Sequence, residues 1–257
     1  MRETKALLVP SLLSADLRCM ERSIQSVERW ADRFHVDICD GHFAPALTYG
    51  PDMVRAMADL TNKPLNIHLG VSHPADWIRL FAHAGAGLMS FHLRTTEQPG
   101  ELIDTIGSLG CKAGLVLEPL EDVRSVSEYV DRIDVVVAMT VNPGFPGQTP
   151  TVDPVVRASE VSRMLEDRGS NACLELDGGV KAHLVGPLIR AGADALVIGS
   201  AIFEQGGRPS SNRITEIDAP DISRLVANSP TYAPSSSTLR PGLLSSSSEG
   251  RRNRRAA

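Results

Sequence analysis

The chain has 257 residues, of which 42% are hydrophobic, enough for a sizeable core in one large domain or two small ones. Its formal net charge of −5 argues against nucleic acid as the main partner, because phosphate backbones are bound by basic patches. The sequence contains no apolar run of the roughly 18 residues that a transmembrane helix needs, so we expect no membrane partner.

The N-terminal end and the cysteines indicate the compartment. Residues 1–5 lead directly into a strand-like run and lack the long apolar stretch and cleavage site of a signal peptide. The cysteines at positions 19, 39, 111 and 173 are widely spread and form no CxxC pair. They are typical of reduced thiols, and we therefore expect a cytoplasmic protein.

Short apolar runs rich in Val, Ile and Leu alternate with amphipathic stretches of helical length along most of the chain. The predicted strands are residues 6–9, 33–37, 64–69, 88–92, 112–117, 133–138, 172–177 and 195–199. The predicted helices are residues 17–30, 51–60, 74–83, 99–109, 120–130, 153–167 and 181–190. Two Ala-Gly-Ala triplets, at 84–86 and 191–193, come just before strands and are typical of helix C-caps.

This alternation predicts an α/β fold, a closed (β/α)8 TIM barrel, because eight strand-like runs alternate with helical stretches. An open, doubly wound sheet is the alternative. We assign the barrel to residues 1–205, and the pattern stops after Phe203.

Two C-terminal segments follow the barrel. Residues 206–228 are predicted to be partly ordered, with one weak helix at 221–228. Residues 229–257 contain eight Ser, three Pro and five Arg, a composition that cannot offset the entropy of ordering, and we predict a disordered tail. The tail's five Arg and one Glu give it a charge of +4, which leaves −9 for the rest of the chain. A basic tail can bind an acidic partner, but we interpret it as a solvated appendage.

Polar residues collect at the ends of several predicted strands. His35 and Asp37 are two residues apart, so in a strand their side chains point to the same side. His68 ends the third predicted strand and Asp177 ends the seventh. In a barrel these ends meet at one face, where two imidazoles and two carboxylates form a donor set for one divalent cation, Zn, Mn, Fe or Co. The alternative is a set of structural histidines at separate strand ends.

Glycine-rich loops follow the last three predicted strands, at residues 141–148, 177–180 and 199–201. Glycine lets backbone N–H groups approach an anion closely. Barrel enzymes commonly bind phosphate with the loops after strands seven and eight. The loops therefore predict a phosphate-binding cradle beside the His and Asp cluster.

Six segments together resemble the ribulose-phosphate 3-epimerase family, which includes allulose-6-phosphate 3-epimerase relatives. They are PSLLSAD at 10–16, HVDICDGHF at 35–43, IHL at 67–69, MTVNPGF at 139–145, LDGGV at 176–180 and GSA at 199–201. The resemblance extends over residues 6–205. It implies an isomerase of carbohydrate metabolism, in the pentose phosphate pathway. The expected reaction is metal-dependent epimerisation at carbon 3 of a ketose phosphate, ribulose 5-phosphate to xylulose 5-phosphate or a close analogue.

The resemblance also implies roles for particular residues. It assigns the metal to His35, Asp37, His68 and Asp177, and it makes Asp37 and Asp177 the acid/base pair that exchanges the proton on carbon 3 through an enediolate. It further implies a homo-oligomer, a dimer or a hexamer. The implied substrate-binding residues are Ser11, His68, Gly144, Phe145, Pro146, Gly147, Gly178, Gly179, Gly199 and Ser200.

Several residues depart from the family pattern. Cys39 and Gly70 stand where the family usually has methionines, and we hypothesise a wider pocket that takes a six-carbon ketose phosphate such as allulose 6-phosphate. His92, at the end of the fourth predicted strand, is a candidate neighbour of the metal ligands. The remaining departures are Ala46 for Asn, Asn66 for Asp, Arg94 for Glu and Pro146 for a small residue.

Two other functions stay open. A non-catalytic phosphosugar-binding barrel would not need both Asp37 and Asp177. A related lyase or decarboxylase would use a lysine at a strand end, and none lies beside these residues in the sequence.

Overall fold

The computed structural model describes residues 6–203 and shows eight parallel strands wound into a barrel. Neighbouring strands follow the order β1-β8-β7-β6-β5-β4-β3-β2, and a parallel bridge between Ser11 and His35 joins β1 to β2. The predicted (β/α)8 barrel is therefore confirmed. The strands are β1 Leu7–Pro10, β2 Phe34–Cys39, β3 Leu65–Gly70, β4 Ala86–His92, β5 Lys112–Leu117, β6 Val135–Met139, β7 Cys173–Asp177 and β8 Ala195–Ile198.

The strands are almost wholly buried because helices cover their outer faces and side chains fill the interior. Every residue of β3, β6 and β8 is buried, and β6 and β8 are accordingly continuous apolar runs in the sequence. The helices are α1 Met20–Val27, α2 Pro51–Asp59, α3 Ala75–His83, α4 Pro99–Ser108, α5 Pro154–Arg168 and α6 Ala182–Arg190.

Local sequence explains where several helices begin and end. Asp153 caps α5 by accepting hydrogen bonds from the backbone N–H groups of Val155 and Val156. The Ala-Gly-Ala prediction is confirmed, since Ala84 and Ala191 cap α3 and α6. Gly85 and Gly192 follow them with φ of 104° and 100°, which favours glycine.

The predicted helix at 120–130 is wrong. The segment contains only a 3-10 turn, Val123–Val126, begun by Asp122, whose side chain accepts from the N–H of Arg124. Apolar residues at helical spacing suggested a helix, but Leu120 is 87% exposed and does not pack on the barrel. The predicted helix at 17–30 is also shorter, because a 3-10 turn at Leu17–Cys19 precedes α1.

Other sequence predictions concern residues beyond the described range. The domain boundary at 205, the weak helix at 221–228 and the disordered tail lie there and stay predictions. Within residues 6–203, no helix is long and apolar enough to cross a membrane. The four cysteines are unpaired, as expected for reduced thiols.

Candidate active site

The barrel brings together the four predicted ligands, which lie in β2, β3 and β7. One side-chain atom from each of His35, Asp37, His68 and Asp177 lies within 4.8 Å of the others. Nε2 of His35 is 3.2 Å from Oδ1 of Asp37 and 3.7 Å from Oδ2 of Asp177, while Nδ1 of His68 is 3.1 Å from Oδ1 of Asp37. The hydroxyl of Ser11 donates to Oδ2 of Asp37 at 3.1 Å. The four side chains thus converge on one point.

A buried ionic layer lies beneath His35 inside the barrel. Nδ1 of His35 is 3.4 Å from Oε1 of Glu175, which also accepts a 2.6 Å hydrogen bond from the amide of Asn66. Arg33 pairs with the same carboxylate through Nε, at 3.1 Å, and through Nη2. Sequence reasoning missed Glu175 and Arg33. The available signal was period-two spacing, because Glu175 lies two residues before Asp177 in β7 and shares its side of the strand.

A second set of contacts lies behind His68. Its Nε2 is 2.9 Å from Nε2 of His92, at the end of β4. Nδ1 of His92 lies 3.4 Å from Oε1 of Glu118, which directly follows β5. His92 is therefore a neighbour of a predicted ligand, as its position in the sequence indicated. Glu118 was missed, although it too is a polar residue at a strand end.

The carboxylates and imidazoles of the cluster shift one another's pKa values. Burial alone would lower the pKa of His35, but Asp37 and Asp177 outweigh burial and raise that pKa well above its usual value. Burial likewise opposes ionisation of Asp37, yet His35 and His68 hold its pKa well below the usual range. For Asp177, burial raises the pKa to about 6, with His35 opposing the shift and Asp37 adding to it. The cluster therefore favours positive charge at its centre.

The arrangement fits a divalent cation. Two half-buried carboxylates face two buried imidazoles. The outer nitrogen of each ring lies against a polar group, Glu175 behind His35 and His92 behind His68. Such partners are what orients metal-ligating histidines in general. Mixed imidazole and carboxylate donors suit Zn, Mn, Fe or Co.

A cavity opens beside this cluster and is lined by all three predicted glycine loops. Gly178 and Gly179 have φ of 105° and 62°, and neither has room for a side chain, since a Cβ would lie 2.7 Å from Val141 in one case and overlap Pro150 in the other. The predicted substrate residues that line the cavity are Ser11, Gly144, Phe145, Pro146, Gly147, Gly178, Gly179, Gly199 and Ser200.

The remaining predicted contact, His68, is almost fully buried and is not among the residues that line this cavity. Cys39 and Gly70 are not among them either, whereas Met139 is. A Cβ on Gly70 would lie 3.6 Å from Sγ of Cys39 and 3.9 Å from the ring of Phe43, so the two small residues pack together under that ring. Lys181, which sequence reasoning missed, donates to Oγ of Ser200 at 3.0 Å and brings a cation next to the glycine loops.

Fold and site together define a class, a (β/α)8 barrel with paired carboxylates, imidazoles and a glycine-lined cavity on the catalytic face. The model of the Ribulose-phosphate 3 epimerase family matches residues 7–203. The chain belongs to this family and is an enzyme of the isomerase class.

Curated relatives carry the same name. Ribulose-phosphate 3-epimerase of Bacillus subtilis is 40% identical over 212 residues, which cover 82% of this chain and 97% of the relative. That of Treponema pallidum is 39% identical over 197 residues, covering 76% and 90%. Among solved structures, a mutant tryptophan synthase alpha-subunit from Pyrococcus furiosus superposes with a TM-score of 0.64 at 13% identity, covering 84% of this chain and 98% of that one. This last likeness shows the fold alone.

Proposed function

We propose that the protein interconverts ribulose 5-phosphate and xylulose 5-phosphate by metal-dependent proton transfer between two carboxylates. One observation carries the proposal: Asp37 from β2 and Asp177 from β7 line the same cavity as the glycine loops. The names of the relatives supply the substrate, and the family supplies the reaction class.

Each part of the cavity has a role in the proposed reaction. The glycine loops and Lys181 bind the phosphate group, because backbone N–H groups and a cation stabilise its charge. Fixing that end of the substrate places carbon 3 between Asp37 and Asp177. One carboxylate takes the proton from carbon 3, and the other returns a proton to the opposite face, which inverts the centre. Ser11 holds Asp37 in place through its hydroxyl.

His35, Asp37, His68 and Asp177 would hold the divalent cation. The cation would stabilise negative charge on the two substrate oxygens as the proton leaves carbon 3. The buried partners of His35 and His68 keep the two rings aimed at that position.

The alternative functions that the sequence left open can be distinguished from this proposal by experiment. Allulose 6-phosphate stays a second candidate substrate, although Cys39 and Gly70, whose small size suggested it, pack together under Phe43 and do not line the cavity. A non-catalytic phosphosugar-binding barrel would bind the sugar without exchanging its proton. We also propose that the protein forms a homo-oligomer and that it is cytoplasmic.

Proton exchange in deuterated water tests the proposed reaction directly. The full-length protein, loaded with Mn or Zn, is incubated separately with ribulose 5-phosphate and allulose 6-phosphate, and carbon 3 is followed by NMR. We expect deuterium at carbon 3 of ribulose 5-phosphate together with formation of xylulose 5-phosphate. Faster exchange with allulose 6-phosphate would make that sugar, and not ribulose 5-phosphate, the assigned substrate. Binding of either sugar without proton exchange would favour the non-catalytic barrel.

The glycine loops give a separate prediction. Gly179→Ala is expected to weaken competitive inhibition by inorganic phosphate about tenfold or more, because a Cβ at φ of 62° is strained and overlaps Pro150. The inhibition constant and the KM for ribulose 5-phosphate measure the effect. Gly107→Ala is the matched control, since that glycine lies in α4 with open space around its Cβ position. Equal phosphate inhibition in the two variants would contradict the assigned cradle.

A further inference from the structure

Thr140 is a buried polar residue that has no part in the proposed reaction. It directly follows β6, and its backbone N–H continues the ladder to β7 by donating to the carbonyl of Asp177 at 2.9 Å. Its hydroxyl donates to the next carbonyl, that of Gly178, at 2.7 Å. Thr140 is 0% exposed and is not among the residues that line the cavity, so it can affect a bound ligand only through its neighbours.

The hydroxyl of Thr140 fixes the orientation of the peptide that joins Gly178 to Gly179. This peptide is trans, so its C=O and N–H groups point in opposite directions. Because the carbonyl of Gly178 is directed at Thr140, the N–H of Gly179 is directed away from Thr140, toward the cavity that both glycines line. No residue between 6 and 203 provides an acceptor for this N–H group. It is therefore available to an anion in the cavity.

The backbone carbonyl of Thr140 holds the segment on the other side of the glycine pair. It accepts from the N–H of Thr151 at 2.8 Å and from the hydroxyl of the same residue at 3.2 Å. The neighbouring Pro150 packs so closely on Gly179 that a Cβ there would lie 2.3 Å from its ring. Thr140 therefore joins both segments that hold the glycine pair. The peptide between two glycines is otherwise free to rotate, because neither residue has a Cβ.

We propose that Thr140 is a positioning residue for the phosphate group, and that its hydroxyl holds the N–H of Gly179 toward the cavity. Without the hydroxyl, the carbonyl of Gly178 loses its partner, and the peptide rotates to bring that carbonyl to the solvent in the cavity. An oxygen then faces the phosphate in place of a donor. The inference rests on the proposed phosphate cradle, but the cradle does not require it.

Binding of inorganic phosphate tests the inference without turnover. The full-length protein, labelled with ¹⁵N-glycine, is titrated with phosphate, and the amide signal of Gly179 is followed by NMR. Thr140→Val keeps the shape of the side chain but removes the hydroxyl. We expect it to weaken phosphate binding about tenfold and to abolish the shift of the Gly179 signal. Thr140→Ser keeps the hydroxyl and is expected to bind phosphate with nearly wild-type affinity.

The order of the two variants distinguishes positioning from packing. If Thr140 only filled space, Thr140→Ser would be the weaker binder, because it loses a buried methyl group that Thr140→Val retains. Thr105→Val is the matched control, since the hydroxyl of Thr105 also donates to a backbone carbonyl at 2.7 Å, that of Glu101 in α4. It should leave phosphate binding at the wild-type value.

The outcomes separate the inference from the proposed cradle. Wild-type phosphate binding by Thr140→Val, with the Gly179 shift retained, would overturn the inference and leave the cradle standing. A wild-type protein whose Gly179 signal does not respond to phosphate would overturn both. Should Thr140→Val fail to fold, Thr140→Cys, whose thiol is only a weak hydrogen-bond donor, is expected to show an intermediate loss of affinity.

Discussion

Asp177→Asn and Asp37→Asn are each expected to lower kcat/KM for ribulose 5-phosphate by about 10³-fold or more, since each removes one of the two groups that exchange the proton on carbon 3. An amide cannot take up or return that proton at neutral pH. The measurement is steady-state turnover in both directions, with bound metal determined in the same samples, because both residues are also proposed ligands.

The proton exchange that remains in each variant distinguishes the acid/base role of the carboxylate from its role as a metal ligand. Each epimer is offered alone in deuterated water, and a variant that retains metal should exchange the carbon 3 proton of at most one epimer, without inversion. Asp104→Asn, at the exposed Arg132 ion pair, is the control and should keep wild-type turnover. Turnover of both epimers near the wild-type rate in either active-site variant would contradict the two-carboxylate mechanism.

Arg33→Leu is expected to lower the free energy of unfolding by about 3–5 kcal/mol. The side chain of Glu175 is 0% exposed, and Arg33 is the cation paired with it. Removing Arg33 therefore leaves a buried negative charge beneath His35. Chemical denaturation of the wild-type protein and the variant measures the difference.

Two further variants show whether the buried charge causes the loss of stability in Arg33→Leu. Arg33→Leu combined with Glu175→Gln is expected to regain most of the loss, because the amide is neutral and its oxygen still accepts from Asn66. Arg132→Leu, at an exposed pair, should cost at most about 1 kcal/mol. If the Arg33→Leu protein is as stable as the wild type, the pair contributes nothing to the free energy of unfolding.

The stability contributed by the pair of Arg33 and Glu175 is expected to fall as the pH falls. Burial would raise the pKa of Glu175, but Arg33 and His35 outweigh burial and hold it at about 2, below the ordinary 4.5. Because the pKa is depressed in the folded state, the stability from the pair is fully present above pH 4.5 and is lost as the pH falls toward 2. The difference between wild type and Arg33→Leu should shrink over the same range.

Local patterns in the sequence determined the barrel and much of the candidate site. Apolar runs alternating with amphipathic stretches predicted all eight strands, most of them to within two residues of the observed ends. Period-two spacing placed His35 and Asp37 on one side of β2, and the glycine loops were placed at the correct strand ends. These features could be predicted because strand periodicity and glycine conformation depend on residues close together in the chain.

Other features depended on tertiary structure. Apolar spacing at 120–130 resembled a helix, but Leu120 stays 87% exposed and only the turn Val123–Val126 forms. The partners behind the two histidines could not be predicted, since Arg33 and Glu175 are 142 residues apart in the sequence. Glu118 reaches His92 only because β4 and β5 are neighbours. The sequence by itself determined most of the groups on the catalytic face, whereas strand pairing decided which charges are buried together, because it joins residues that are far apart in the chain.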